Sequence, residues 1–218
     1  MKVFVIGIAG GTGSRLARTL KAGGDDVDGL YRRPEQEANL SASGVHGTLG
    51  DLVTMSESQL ADAVRGSDVI VFTAGAGAGD KDAMTDAIDG HGVTKAIAAA
   101  ESAGIKRLIL VSVFPEASRA KRMDENFEHY MIVKKRADVE LAATDLDWVI
   151  VRPAALIDDP GTGRVSLGPA QIHTEITRDD VATTIAELIR TPNVRRTILE
   201  LSKGSTPIAE AVAAQAGG

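Results

Sequence analysis

Lys2-Val-Phe-Val-Ile-Gly7-Ile-Ala-Gly10-Gly11-Thr12-Gly13-Ser-Arg-Leu16-Ala17 decides how the chain folds. Residues 2–7 are apolar and β-branched without alternation, the pattern of a strand buried on both faces of a parallel sheet. From Thr12 the spacing turns helical, with Leu16, Ala17 and Leu20 on one face, and Gly23-Gly24 stops it. Gly7, Gly10 and Gly13 fall in the turn between strand and helix. Glycines there let the backbone turn sharply and let a pyrophosphate approach the helix N-terminus, whose N–H groups and dipole favour anions. No Lys-Ser/Thr follows the last glycine, which excludes a nucleoside-triphosphate P-loop. The reading is a dinucleotide site that includes Gly7, Gly10, Gly11, Thr12 and Gly13.

The same alternation continues along the chain. Strands are expected near 27–32, 45–49, 68–73, 107–112 and 148–152, and helices near 57–64, 84–103 and 126–143. Strands and helices of these lengths imply right-handed crossovers, hence an α/β, Rossmann-type doubly wound parallel sheet formed as a single domain over 1–218. Ala74–Gly79 reads as a flexible loop after the fourth strand. From Pro153 the chain is punctuated by Pro160, Gly161, Gly163, Gly168 and Pro169. A helix near 179–190, a strand near 198–201 and a helix from Pro207 follow. This part is too short for a domain of its own, and we expect it to contribute a small C-terminal lid region on the substrate side.

Composition narrows the partners. The net charge is −6 and aromatics make up 3% of the 218 residues, which disfavours both a nucleic-acid partner and base-stacking platforms. There is no cysteine, so disulfides, thiolate metal sites and thiol nucleophiles are excluded. His46, His91, His129 and His173 are too scattered to form a local metal-ligand pair, so no metal is expected. No apolar run reaches the length of a membrane span or signal core, and a cytoplasmic protein acting on a small molecule is expected. A homodimer is compatible with the sequence.

The end of the second strand speaks to cofactor choice. Sites selective for NAD place an acidic side chain there, whereas this chain has Tyr31-Arg32-Arg33, and Asp28 lies at the strand's beginning. A guanidinium at Arg32 or Arg33 suits a 2′-phosphate, so NADP(H) is expected over NAD(H).

Several further stretches carry a resemblance. They are Gly50-Asp51-Leu52, Thr73-Ala74-Gly75, Ala103-Gly104-Ile105-Lys106-Arg107 leading into Leu-Ile-Leu-Val-Ser112, Tyr130-Met-Ile-Val-Lys134, Leu146–Pro153 and Thr177–Ala182. With the glycine turn they resemble the short-chain dehydrogenase/reductase superfamily, in particular its atypical members that are similar to NAD(P)-dependent sugar epimerases and NmrA-like proteins. The resemblance implies that Asp51 and Leu52 border the adenine, that Thr73, Ala74 and Gly75 line ribose and pyrophosphate, and that Pro153 flanks the nicotinamide.

Tyr130 and Lys134 are four apart on an expected helix and so share a face. By the resemblance, Lys134 holds the nicotinamide ribose and lowers the pKa of Tyr130, which serves as general acid or base. Ser112 stands where the family has a substrate-polarising hydroxyl, although Val113 and Phe114 follow it where a second serine is common. Asp89 replaces the asparagine of the classical enzymes. His129 faces away from Tyr130 and is read as structural, and Trp148 as core. The function expected is NADPH-dependent reduction of a small carbonyl, quinone or related acceptor. The alternatives are a non-catalytic NADP(H) redox sensor and a nucleotide-sugar epimerase-like enzyme.

Overall fold

The computed structural model describes residues 1–76, 82–115, 117 and 125–217. Part of the Ala74–Gly79 loop therefore lies outside the described residues.

β1 (Lys2–Ile6) leads through the glycine turn into α1 (Gly11–Ala22), followed by β2 (Asp26–Tyr31), a 3-10 turn, α2 (Glu37–Ala42), β3 (His46–Leu49), α3 (Glu57–Val64) and β4 (Val69–Phe72). The helical stretch after β4 is in three parts: α4 (Asp82–Thr85), a π-helical turn (Asp86–Gly90) and α5 (His91–Ala103). β5 (Arg107–Val111), α6 (Glu125–Ala142) and β6 (Asp147–Pro153) complete the alternating part. Then come β7 (Ala155–Ile157), β8 (Arg164–Gly168), β9 (Glu175–Thr177), α7 (Arg178–Arg190), β10 (Thr197–Lys203), β11 (Thr206–Pro207) and α8 (Ile208–Ala213).

Nine strands form one sheet in the order β11-β8-β10-β6-β5-β4-β1-β2-β3, with β7 and β9 paired separately. From β6 to β3 every neighbouring pair is parallel, and β10 joins β6 in parallel too. This is the doubly wound arrangement expected from the sequence. Its order reverses between β1 and β4, which opens a crevice beyond their carboxyl ends.

β1 shows why its apolar run does not alternate. Val3 and Val5 pack with α1 and α7 residues such as Leu16, Leu20, Val181 and Ile185, while Phe4 and Ile6 pack on the other face with Leu60, Val93 and Ile97. Both faces of the sheet are covered by helices, so every position of the strand must be apolar. Trp148 is buried in the second of these clusters, as expected.

Three departures from the sequence reading have physical causes. The helix expected over 84–103 is interrupted at Asp86–Gly90, where the winding slackens to a π turn. α2 was not expected because only Leu40 of its six residues is buried, so no apolar stripe marks it. The loop-rich stretch after Pro153 contains β7, β8 and β9, strands of only three to five residues hidden among Gly and Pro. Much of this part is built into the body: β10 and β8 extend the sheet, with β8 antiparallel to β10. Buried Arg107 fastens it, donating to the carbonyl oxygens of Val194 at 2.7 Å and Leu188 at 2.8 Å. No helix of the described residues is long and apolar enough to cross a membrane.

Candidate cofactor cavity and active site

A cavity of about 830 Å³ opens at the reversal of strand order, within the size range of cofactor and small-ligand sites. Its floor is the glycine turn, where Gly7, Gly10, Gly11 and Thr12 line it. Gly7 has φ +88°, and a Cβ there would lie 2.7 Å from the Ala74 nitrogen. Gly13 lines nothing; its role is closeness, since a Cβ would stand 2.3 Å from the Gly7 carbonyl oxygen and 2.9 Å from Thr73 Oγ1. Thr73 Oγ1 braces the turn by donating to the carbonyl of Ile6 at 3.0 Å. The helix above it, α1, has no side-chain N-cap and no acidic residue in its first turn. Its first N–H groups therefore face an anion-sized space without a built-in acceptor, which fits a pyrophosphate.

On one side the wall is formed by Tyr31, Arg32, Arg33 and Gln36 after β2 and by Gly50, Asp51 and Leu52 after β3. Asp28 pairs with Lys2 at 3.1 Å and takes no part. Arg33 lies 3.5 Å from Glu35, while Arg32 makes no ion pair among the described residues. The Asp51 loop is held from below: half-buried Lys95 donates through Nζ to the carbonyls of Leu52, Val53 and Met55 at 3.0, 3.1 and 2.7 Å. Asp51 Oδ1 accepts from the Val53 N–H at 2.9 Å, a local turn that fixes its carboxylate.

At the opposite end the wall carries Asp89, Ser112, Tyr130 and Lys134, with Thr73, Ala74 and Gly75 between the two ends. Asp89 comes from the π turn and is 1% exposed; Lys134 is 3% exposed, so their 3.3 Å contact is a buried ion pair. Asp89 Oδ2 accepts from the Ala76 N–H at 2.9 Å, and Lys134 Nζ also donates to the Val111 carbonyl at 3.0 Å. An ammonium has three N–H donors, so one beyond these two is left for a ligand hydroxyl.

α6 presents Tyr130, Lys134 and Asp138 at successive intervals of four, one row along a helix face. Arg152 of β6 grips Asp138 through a single oxygen, Nε at 3.0 Å and Nη2 at 2.9 Å from Oδ2. Asp138 Oδ1 and Ser112 Oγ are both buried without a hydrogen-bond partner among the described residues. The two lie near each other but outside hydrogen-bond geometry. Burial pushes the Asp138 carboxyl up, opposed by the Ser112 hydroxyl, Arg152 and Lys134.

One expectation is corrected here. The resemblance implied that Lys134 lowers the pKa of Tyr130, but Tyr130 is raised above the ordinary phenol value, first by burial and then by the charges of Asp89 and Asp138. Lys134 itself is committed to Asp89, 3.3 Å away. Tyr130 packs on Phe127, with ring centroids 5.9 Å apart. His129 faces Asp86 at 3.2 Å, away from the cavity.

The structure thus gathers the glycine turn, Arg32, Arg33, Asp51, Leu52, Thr73–Gly75, Asp89, Ser112, Tyr130 and Lys134 around one cavity. Pro153 is not part of its lining; it ends β6 opposite Leu201 in the sheet. Sequence reasoning missed Gln36, Phe127, Leu156 and Arg178, which line the cavity. Only Arg178 had a signal, its place in the stretch Thr177–Ala182.

Comparison with known proteins agrees with this geometry. A family described as NAD(P)H-binding matches residues 7–192. The chain is 38% identical over 213 residues to an uncharacterized sugar epimerase, YhfK, of Bacillus subtilis (strain 168), covering 97% of this chain and 99% of that one. Among solved structures, a putative NAD-dependent epimerase/dehydratase from Bacillus halodurans superposes with a TM-score of 0.89 at 34% identity, covering 98% of this chain and 99% of that chain. The oxidoreductase ylbE from Lactococcus lactis does so with a TM-score of 0.84 at 30% identity, covering 98% and 96%. With its glycine turn, its strand order and these relatives in agreement, the chain belongs to the NAD(P)H-binding, epimerase-like family of atypical short-chain dehydrogenases/reductases.

Proposed function

We propose that the protein is an NADPH-dependent oxidoreductase that reduces a small carbonyl, quinone or related acceptor. The observation that carries this reading is that the Tyr130 phenol and the Ser112 hydroxyl, which is buried without a hydrogen-bond partner among the described residues, line the same cavity. The bound nicotinamide would supply a hydride to the acceptor. Ser112 Oγ donates to the acceptor oxygen and polarises it, and Tyr130 delivers the proton that the reduced oxygen needs. A raised pKa keeps Tyr130 in the donor form, which suits reduction better than proton abstraction. Lys134, anchored by Asp89, offers its remaining N–H to a ribose hydroxyl. Phe127, packed on Tyr130, gives the acceptor end an apolar border. The oxidoreductase name of the Lactococcus relative supports the same class of chemistry.

NADPH oxidation, followed by absorbance against quinones, flavins, aldehydes and nucleotide sugars, tests the proposal. Turnover with a carbonyl or quinone supports it. Conversion of a nucleotide sugar to its epimer with no net NADPH oxidation, read by chromatography of the same mixtures, replaces it with the epimerase-like reading that the YhfK name favours. NADPH binding with silence across the panel replaces it with a redox sensor.

Cofactor preference rests on Arg32, which lines the cavity without an ion pair among the described residues. Losing a charged hydrogen-bond pair to a 2′-phosphate costs about 1.5–3 kcal/mol, so Arg32→Ala is expected to weaken NADPH about 10- to 100-fold. NADH, which lacks that phosphate, should bind the variant as it binds wild type. Equal weakening of both, read by fluorescence titration, would refute the assignment.

A further inference from the structure

Arg178, the first residue of α7, crosses from the C-terminal part of the chain to the glycine turn. A Cβ on Gly11 would lie 3.0 Å from Arg178 Cδ and 3.1 Å from its Nε, so the side chain lies directly against the first residue of α1 and lines the cavity. Its Nη1 is 2.9 Å from Asp158 Oδ2, and this is its one ion pair among the described residues. The neighbouring Arg15 is held quite differently. It contacts Asp158 at 3.2 Å and Asp179 at 2.9 Å, and donates to the Gly11 carbonyl at 2.8 Å.

We propose that Arg178 is a clamp for the cofactor pyrophosphate, held by Asp158 until a dinucleotide arrives. The Asp158 side chain is 69% exposed, and an ion pair so open to water is weak. A pyrophosphate at the α1 N-terminus offers more negative charge and a two-pronged acceptor that a guanidinium fits in bidentate fashion. The exchange of partners therefore favours the phosphate. Arg15, braced by three groups, stays behind and keeps Asp158 from being left without a cation. The clamp joins the two ends of the chain over one ligand, since α1 and α7 then grip the same phosphates. It rests on dinucleotide occupancy of the cavity and deepens the cofactor side of the function proposed above, independently of the acceptor.

The test is fluorescence titration with NADPH, and displacement by adenosine 2′-monophosphate, which carries the 2′-phosphate but no pyrophosphate. Arg178→Ala is expected to weaken NADPH about 10- to 100-fold and leave adenosine 2′-monophosphate within about twofold of wild type. Arg178→Lys, with charge but no fork, should fall between. Asp158→Asn should tighten NADPH roughly 2- to 5-fold, the size of an exposed ion pair, a gain that a damaged fold cannot produce. Unchanged NADPH affinity in Arg178→Ala, equal weakening of both ligands, or no tightening in Asp158→Asn overturns the clamp. Arg178-dependent binding without turnover on any acceptor removes the reductase reading and keeps the clamp; turnover with affinity indifferent to Arg178 does the reverse.

Discussion

Tyr130→Phe is expected to reduce NADPH-dependent turnover by about 10²- to 10⁴-fold, the usual contribution of a positioned proton donor, with NADPH affinity unchanged. The ring itself packs on Phe127 and would remain in place; only the hydroxyl at the acceptor end is removed. A variant that keeps wild-type turnover sinks the assignment of Tyr130 as the donor. The pH profile gives a second reading of the same group. Burial, Asp89 and Asp138 raise the Tyr130 pKa, so the protonated donor persists to higher pH than an ordinary phenol, which titrates near 10. Turnover should therefore not decline through tyrosine ionisation between about pH 6 and about pH 9. A falling limb in that range that is absent from the residual activity of Tyr130→Phe would mean that the occupied site lowers this pKa instead.

The largest expected loss of stability comes from Asp89→Ala. Lys134 is 3% exposed and its carboxylate partner 1% exposed. Removing one member of a buried ion pair leaves the other charged without compensation, typically at about 3–5 kcal/mol. The same substitution strips the Ala76 N–H of its acceptor. For a chain of this length that corresponds to a fall in Tm of roughly 6–20 °C. Adding Lys134→Met to Asp89→Ala should recover most of the loss, because the ammonium left without its carboxylate is then removed too, while Asp138 keeps Arg152. Thermal unfolding of the two variants decides the point: a double variant no more stable than Asp89→Ala would show that the cost arises elsewhere.

The sheet was legible because its strands are buried on both faces, leaving uninterrupted apolar runs such as Val69–Phe72 and Leu108–Leu110. The glycine turn was legible because backbone closeness restricts those positions to one residue type. Tyr130 and Lys134 could be paired from helical spacing alone. Asp138, the next residue in the same row, escaped notice because spacing does not say which carboxylate is buried or that Arg152 holds it. The π turn at Asp86–Gly90 has no local sequence mark, and without it the buried link from Asp89 to Lys134 could not be inferred. Arg178 and Leu156 reach the cavity only through tertiary packing, from a stretch where Gly and Pro concealed short strands.

The outermost strands of the sheet bear on how readily another chain could pair beside it. An edge strand offers unpaired N–H and C=O groups to any other chain that can add beside it. Here one border is β11, only two residues long and ending in Pro207, which has no N–H to offer. The other is β3, four residues long and interrupted by Gly47. Between them lie seven strands, each paired with a neighbour on both sides over at least part of its length. A wide, strongly apolar sheet thus ends at both margins in short stretches poorly suited to template strand addition, which discourages aggregation by edge pairing.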